Sequence, residues 1–206
     1  MKLYYLPFSP NSRRPWMTAK VLGLALDEEV VDVTKGENKR PEFLKINPNG
    51  SVPALVDGDF ALWESRAIME YLAVKKPEAR LVGENDREWA DLQRWMFWDA
   101  CHLMRHTGSL IFEYLLKKIL NLGQPDEAAA KEARETLRKY YAVLDQALTG
   151  RDYLVGGRLT VADISLACTF TYADLLKLPV GDFPAITAWL ARIQALPAWA
   201  ATEPKI

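Results

Sequence analysis

Val52-Pro53 and Glu64-Ser65 are the residues of this chain whose types and spacing could seize a small ligand. Proline has no N–H for a sheet ladder, so Val52-Pro53 belongs at a strand's edge or first residue rather than in a central strand. Proline is also the residue at which a cis peptide bond is only slightly disfavoured. A cis Val52-Pro53 bond would turn the Val52 N–H and C=O outward, toward an extended peptide lying alongside. Glu64-Ser65 opens a helical pattern and offers free backbone N–H groups and a hydroxyl to a carboxylate. Alone, Asn47 to Gly50 is a turn, and Glu64-Ser65 is a helix start with charge at the positive end of the dipole. Their joint spacing points to a receptor for a small acidic peptide.

Those residues need a frame. Over residues 1–75, short strand and helix patterns alternate. Lys2 to Leu6 is an apolar strand, and Ser9 to Leu24 continues from turn residues at helical spacing through Trp16, Ala19, Lys20 and Leu24. Leu26 to Val33 alternates as a second strand. Pro41 to Ile46 is a short helix with proline in its first turn. Ala54 to Val56, the turn Asp57-Gly58-Asp59 and Phe60 to Leu62 form a hairpin. Glu64 to Val74 then closes the unit as a helix. This β-α-β-α-β-β-α order predicts a mixed sheet with helices on both faces. Ser9-Pro10-Asn11-Ser12 falls where the first strand meets the first helix.

Lys75 to Arg80 is charged and contains the helix-breaking Pro77. We therefore expect a domain of residues 1–76, a linker of 77–86 and a second domain of 87–206. In the second, helical patterns run over Arg87 to Leu120, Asp126 to Leu148, from Thr160, and over Phe183 to Leu196, so an all-α domain is expected. Thr160-x-x-Asp163 fits a capping box, a structural role.

Half of the residues are hydrophobic and 26% are charged, with a net charge of -1. This is ordinary globular composition and gives no electrostatic case for nucleic acid or an anionic membrane. No apolar run nears bilayer-spanning length, and Met1 to Tyr5 opens no long apolar signal segment. Cys101 and Cys168 both fall in apolar helical patterns, so both are expected as buried, inert thiols. Their spacing suits neither a disulfide framework nor a metal site. A cytoplasmic protein is the expectation.

Taken together, Asn47-Pro48, Gly50, Val52-Pro53, Glu64-Ser65 and the helical second half resemble the cytosolic glutathione transferase family, over essentially the whole chain. The resemblance implies a thioredoxin-like α/β domain followed by an all-α domain, glutathione as cosubstrate without a metal, and a homodimer. It also implies a site. The Val52 backbone, before Pro53, would pair with the cysteinyl part of glutathione; Ser65 would hold the γ-glutamyl carboxylate and Glu64 the ammonium. Ser51 offers only a short hydroxyl where relatives often carry a longer polar side chain.

Ser9-Pro10-Asn11-Ser12 resembles the C-P-x-C site of glutaredoxins with serine at both cysteine positions. Without a protein thiol there is no protein–glutathione mixed disulfide. What remains is a hydroxyl able to donate to a bound glutathione thiolate, as in the serine-type branches of the family. Ser9 holds the nucleophile-like position. Asn11 is the next candidate, because Ser-Pro-Asn is similar to the Thr-Pro-Asn of nu-like bacterial members; a bacterial-type serine/asparagine-site member is implied. Ser12 reads more simply as an N-cap. Tyr5 resembles the phenol of tyrosine-type members, although one of two adjacent strand tyrosines normally belongs to the core.

Trp98, His102, Arg105 and His106, at spacings of three and four, share a helix face. They are the candidate wall for a small hydrophobic electrophile, with an interdomain or dimer seam as the competing reading. A helix irregularity is expected near Gly108. The reaction implied is attack of the glutathione thiolate on such an electrophile. The alternatives are a nu-like glutathione-dependent disulfide reductase or peroxidase, and a non-catalytic binding protein of the same fold.

Overall fold

The computed structural model describes residues 1–204. Strands β1 (Lys2–Tyr5), β2 (Asp27–Val30), β3 (Ala54–Asp57) and β4 (Phe60–Trp63) form one sheet in the order β2-β1-β3-β4. β1 and β2 are parallel, with Leu3 opposite Glu28; β1 and β3 are antiparallel, with Leu3 opposite Leu55. A parallel pair needs a crossover, which α1 (Pro10–Val21) supplies. β3 and β4 form the expected hairpin, and Gly58 turns it at φ 64°, a region that favours glycine.

Alternation along the strands sends Leu3, Tyr5 and Leu55 into one buried cluster with Met17 of α1 and Ile68, Met69 and Leu72 of α3 (Ser65–Val74). The other face carries a smaller cluster of Val31, Phe43 and Ala54, covered by α2 (Pro41–Ile46). Helices therefore lie on both faces. The second strand ends at Val30, short of the expected Val33, because the Asp32 carboxylate accepts the N–H groups of Thr34 and Lys35 and winds a tight turn there.

The second half is helical. α4 (Asp86–Trp98), α5 (Met104–Ile111) and α6 (Lys117–Ile119) follow one another through π-helical turns at Asp99–Leu103 and Phe112–Leu116. The irregularities thus flank Gly108 instead of falling on it. α7 (Glu127–Leu148) buries Ala130, Ala133, Leu137, Tyr141, Leu144 and Leu148, the three-and-four spacing of an amphipathic helix. α8 (Val161–Thr169) is buried along its whole length; α9 (Pro184–Gln194) and α10 (Pro197–Ala201) complete the domain. Buried Asp163 accepts the N–H and hydroxyl of Thr160, the N–H of Leu154 and Nε1 of Trp189. The Thr160 hydroxyl is thus a donor to the carboxylate that orders the start of α8.

The two thiols differ, against expectation. Cys168 is buried, and desolvation pushes it up to about 11. Cys101 is exposed on the π-helical turn. Among the described residues no helix is long and apolar enough to cross a membrane.

Candidate active site

The loop from α2 to β3 is held by two amide side chains, Asn38, which donates from Nδ2 to the Gly50 carbonyl at 2.7 Å, and Asn47. Buried Asn47 donates from Nδ2 to the Ser51 carbonyl at 2.6 Å and accepts the Asn49 N–H at 3.1 Å on Oδ1. The Val52–Pro53 bond that follows is cis. Gly50 lets a neighbour approach closely: a Cβ there would lie 2.7 Å from the Lys39 Nζ and 3.0 Å from the Asn38 carbonyl. An ammonium therefore lies over the turn, a cation that the motif gave no sign of.

Glu64 joins β4 to α3 with φ 74° and ψ 112°. Glutamate rarely adopts a positive φ, and the strain is worth about 1–3 kcal/mol. The bend leaves Ser65, 5% exposed, as the first residue of α3, where backbone N–H groups lack helical partners.

Ser51, Val52, Pro53, Glu64 and Ser65 line one cavity of about 480 Å³, and Asn11 of α1 lines it too. The guanidinium of Arg14 donates to Asn11 Oδ1 at 2.6 Å. A guanidinium has only donors, so this bond fixes the carbonyl end of the amide and leaves the Asn11 NH₂ as the donor for a ligand. Ser9 does not line the cavity. It caps α1, its Oγ accepting the Ser12 N–H at 3.4 Å, so the hydroxyl proton remains free to be donated. Ser12 is fully buried and accepts the Leu6 N–H; it is not the cap. Tyr5 faces the core against Trp16, and burial pushes its phenol above the usual value.

Beneath the cavity lies a charge cluster that the sequence patterns did not reveal. Asp99 is fully buried and accepts from Arg14 at 3.2 Å, Arg66 at 2.6 Å, Ser165 at 2.7 Å and Thr169 at 2.8 Å. Burial pushes its carboxyl up, but the two guanidinium groups outweigh that and hold it below its ordinary 3.8. A buried carboxylate facing two guanidiniums is tolerable only because every partner is present. Arg66 also lines the cavity, and its Nε is buried with no partner among the described residues. An aspartate between two apolar neighbours in the pattern was the only available signal.

The four residues expected as an acceptor wall lie away from this cavity. None of Trp98, His102, Arg105 and His106 lines the cavity; Ala100 and Met104 do. His102 and His106 stack on Tyr140 of α7 at 5.0 and 5.9 Å, and Trp98 packs edge-on to Tyr140 at 5.9 Å. Two positions along a helix are about 200° of rotation, so the Ala100–Met104 pair and the histidine pair must face nearly opposite ways. A second hollow of about 450 Å³, around Tyr114 and Lys117, contains none of the residues above. Among the described residues no cluster suits a metal ion.

Residues 3–80 match the family model "Glutathione S-transferase, N-terminal domain", and residues 100–197 match "Glutathione S-transferase, C-terminal domain". The chain is 34% identical over 206 residues to glutathione S-transferase 3 of Zea mays, covering 98% of this chain and 92% of that one. It is 31% identical over 202 residues to glutathione S-transferase D7 of Drosophila melanogaster, covering 97% and 87%. The fold is similar to that of glutathione S-transferase-I bound with lactoylglutathione, with TM-score 0.89, 29% identity and coverage of 98% and 97%.

Proposed function

The chain belongs to the glutathione S-transferase family, and from that premise we propose how its own cavity performs the transfer. The protein is a glutathione transferase with glutathione as cosubstrate. The observation that carries our assignment of the site is the convergence of Asn11, Val52, Glu64 and Ser65 on one cavity. The γ-glutamyl carboxylate lies on the Ser65 hydroxyl and the N-terminal N–H groups of α3, within reach of Arg66. Glu64 balances the ammonium. The Val52 backbone, before Pro53, pairs with the cysteinyl unit, and Ser51 flanks it. The glycyl carboxylate extends toward Lys39.

The sulfur then lies at the N-terminus of α1, where the Ser9 hydroxyl and the Asn11 NH₂ donate to it. A thiol of pKa ~8.5 is only about 3% ionised at pH 7. One hydrogen bond to the charged form is worth ~1.5–3 kcal/mol, or roughly one to two pKa units. Two units raise the thiolate to about three-quarters, so activation needs no general base. The thiolate attacks a small hydrophobic electrophile held against Ala100 and Met104, and proximity supplies much of the rate. Neither the disulfide-reductase nor the non-catalytic reading is favoured by the relatives.

The test is the thiolate absorbance of bound glutathione across pH, with aryl-halide conjugation, in Ser9→Ala and Asn11→Ala. Each should raise the thiol pKa by about one unit and slow conjugation about threefold at neutral pH, as the thiolate falls from about three-quarters to about one quarter. Unchanged titration and rate in Ser9→Ala would leave Asn11 as the sole donor.

The same reading makes this a serine/asparagine-site member, cytoplasmic, without nucleic-acid or membrane partners. Residues 1–76 form the glutathione-binding domain, 77–86 the linker and 87–206 the acceptor domain. It is a homodimer: Phe60, Trp63 and Phe97 stand exposed, and an apolar groove of about 230 Å³ lined by Trp95, Trp98 and Val143 supplies a complementary surface.

A further inference from the structure

The chain has five methionines, and their access to solvent is sharply divided. Met17, Met69 and Met96 are buried, at 0, 0 and 2% exposure. Met1 is partly exposed but does not line the cavity, whereas Met104 is partly exposed and forms part of the cavity wall. Its sulfur lies 3.6 Å from Arg14 Nη2, on the guanidinium whose Nη1 fixes the Asn11 amide. A small molecule entering the cavity therefore meets one soft, oxidisable sulfur, and that sulfur touches the group that orients a thiol donor.

We propose that Met104 is an oxidation site at which hydroperoxides switch off this enzyme when glutathione is scarce. The inference rests on the reading of this cavity as the glutathione site. A lone pair of the thioether attacks one oxygen of the hydroperoxide. The S–O bond forms as the O–O bond breaks, and the proton of the transferred OH passes to the departing alkoxide. The products are methionine sulfoxide and an alcohol; sulfur loses two electrons and the peroxide gains them. The sulfoxide is polar and a strong acceptor where the thioether was apolar and weak. If its oxygen turns to Arg14 it competes with Asn11 and Asp99 for the guanidinium; if it turns to the cavity it puts a polar group in the acceptor wall. Both lower turnover of apolar electrophiles. Bound glutathione fills the cavity beside Met104 and shields it, so oxidation is confined to the unliganded enzyme.

The test treats the purified full chain with tert-butyl hydroperoxide, with and without γ-glutamyl-2-aminobutyryl-glycine, an occupant with a methyl group where glutathione has its thiol and no sulfur to consume peroxide, and maps added oxygen by peptide mass. Met104 should gain oxygen before Met17, Met69 and Met96, and the sulfur-free tripeptide should slow that gain. Conjugation kcat/KM for an aryl halide should fall about tenfold while the KM for glutathione stays within about twofold. Methionine sulfoxide reductase should restore the rate, and Met104→Leu should keep its own untreated rate after peroxide. Oxygen on other residues with Met104 intact, an oxidised Met104 at full rate, or equal loss in Met104→Leu would each overturn the proposal. Failure of the untreated protein to bind immobilised glutathione would instead overturn the reading of the cavity.

Discussion

In the proposed site Ser65 and Gly50 serve opposite ends of the tripeptide, one through a hydroxyl and the other through a missing side chain. Ser65→Ala removes a hydrogen bond to a carboxylate worth ~1.5–3 kcal/mol, so the KM for glutathione should rise roughly 10- to 100-fold with kcat nearly unchanged. Equal loss in kcat would mean that Ser65 positions the sulfur. Gly50→Ala drives a Cβ to within 2.7 Å of the Lys39 Nζ and adds strain at φ 60°. Displacement of Lys39 should weaken glutathione binding while a ligand lacking the glycyl unit binds as before. Calorimetry with both ligands decides this. Val52-Pro53 and Glu64-Ser65 were legible in the sequence because proline, valine and a helix start each impose a local backbone rule. Nothing local told which end of the Asn11 amide is tied down; Arg14 holds its Oδ1.

At the scale of elements, helix starts were read more closely than caps or faces: Ser9 caps α1 where Ser12 was expected to. Asn85 accepts the N–H groups of Arg87 and Glu88, and Asp126 those of Ala128 and Ala129, so α4 and α7 begin where short polar side chains can cap them. The π-helical turn at Asp99–Leu103 had no comparable signature. Asp99 there links α1, α3 and α8 through Arg14, Arg66, Ser165 and Thr169. Asp99→Asn leaves two guanidiniums facing a neutral amide and should cost ~3–5 kcal/mol at neutral pH. The carboxyl is depressed in the folded state, so its contribution is present above its unfolded value and is lost as pH falls through the folded one. The gap in Tm between wild type and variant should therefore hold from pH 7 to about pH 4 and narrow only below that. Thermal melts over that range measure it; a gap already closing at pH 6 would assign the stability to other groups.

For the molecule as a whole, the two halves are joined through α1. Arg13 donates to the Trp199 carbonyl at 2.8 Å and to Thr171 at 3.2 Å, and lies 3.8 Å over the Trp199 ring; Tyr172 donates to the Phe8 carbonyl at 2.6 Å. The helix that carries Asn11 and Arg14 is thus also the one that fixes the helical second half. Phe97, 66% exposed, is the most exposed large hydrophobic side chain among the described residues and belongs to the proposed dimer surface. Phe97→Glu should convert a dimer into a monomer by light scattering, while retention on immobilised glutathione persists. A wild type already of monomer mass would remove the dimer.

The sequence by itself determined the order of elements, the α/β domain followed by helices, and the residues of the Val52-Pro53 and Glu64-Ser65 turns, because periodicity, proline and caps act over a few neighbouring residues. Only the tertiary structure decided what stands opposite them. It turned Trp98, His102 and His106 to α7, placed Ala100 and Met104 on the cavity wall, exposed Cys101, and gathered Arg14, Arg66 and Asp99 under the cavity. A helix pattern fixes which residues share a face but not where that face points. That direction is set by packing between residues far apart in the chain, such as Arg14, Asp99 and Thr169, whose mutual burial no local pattern records.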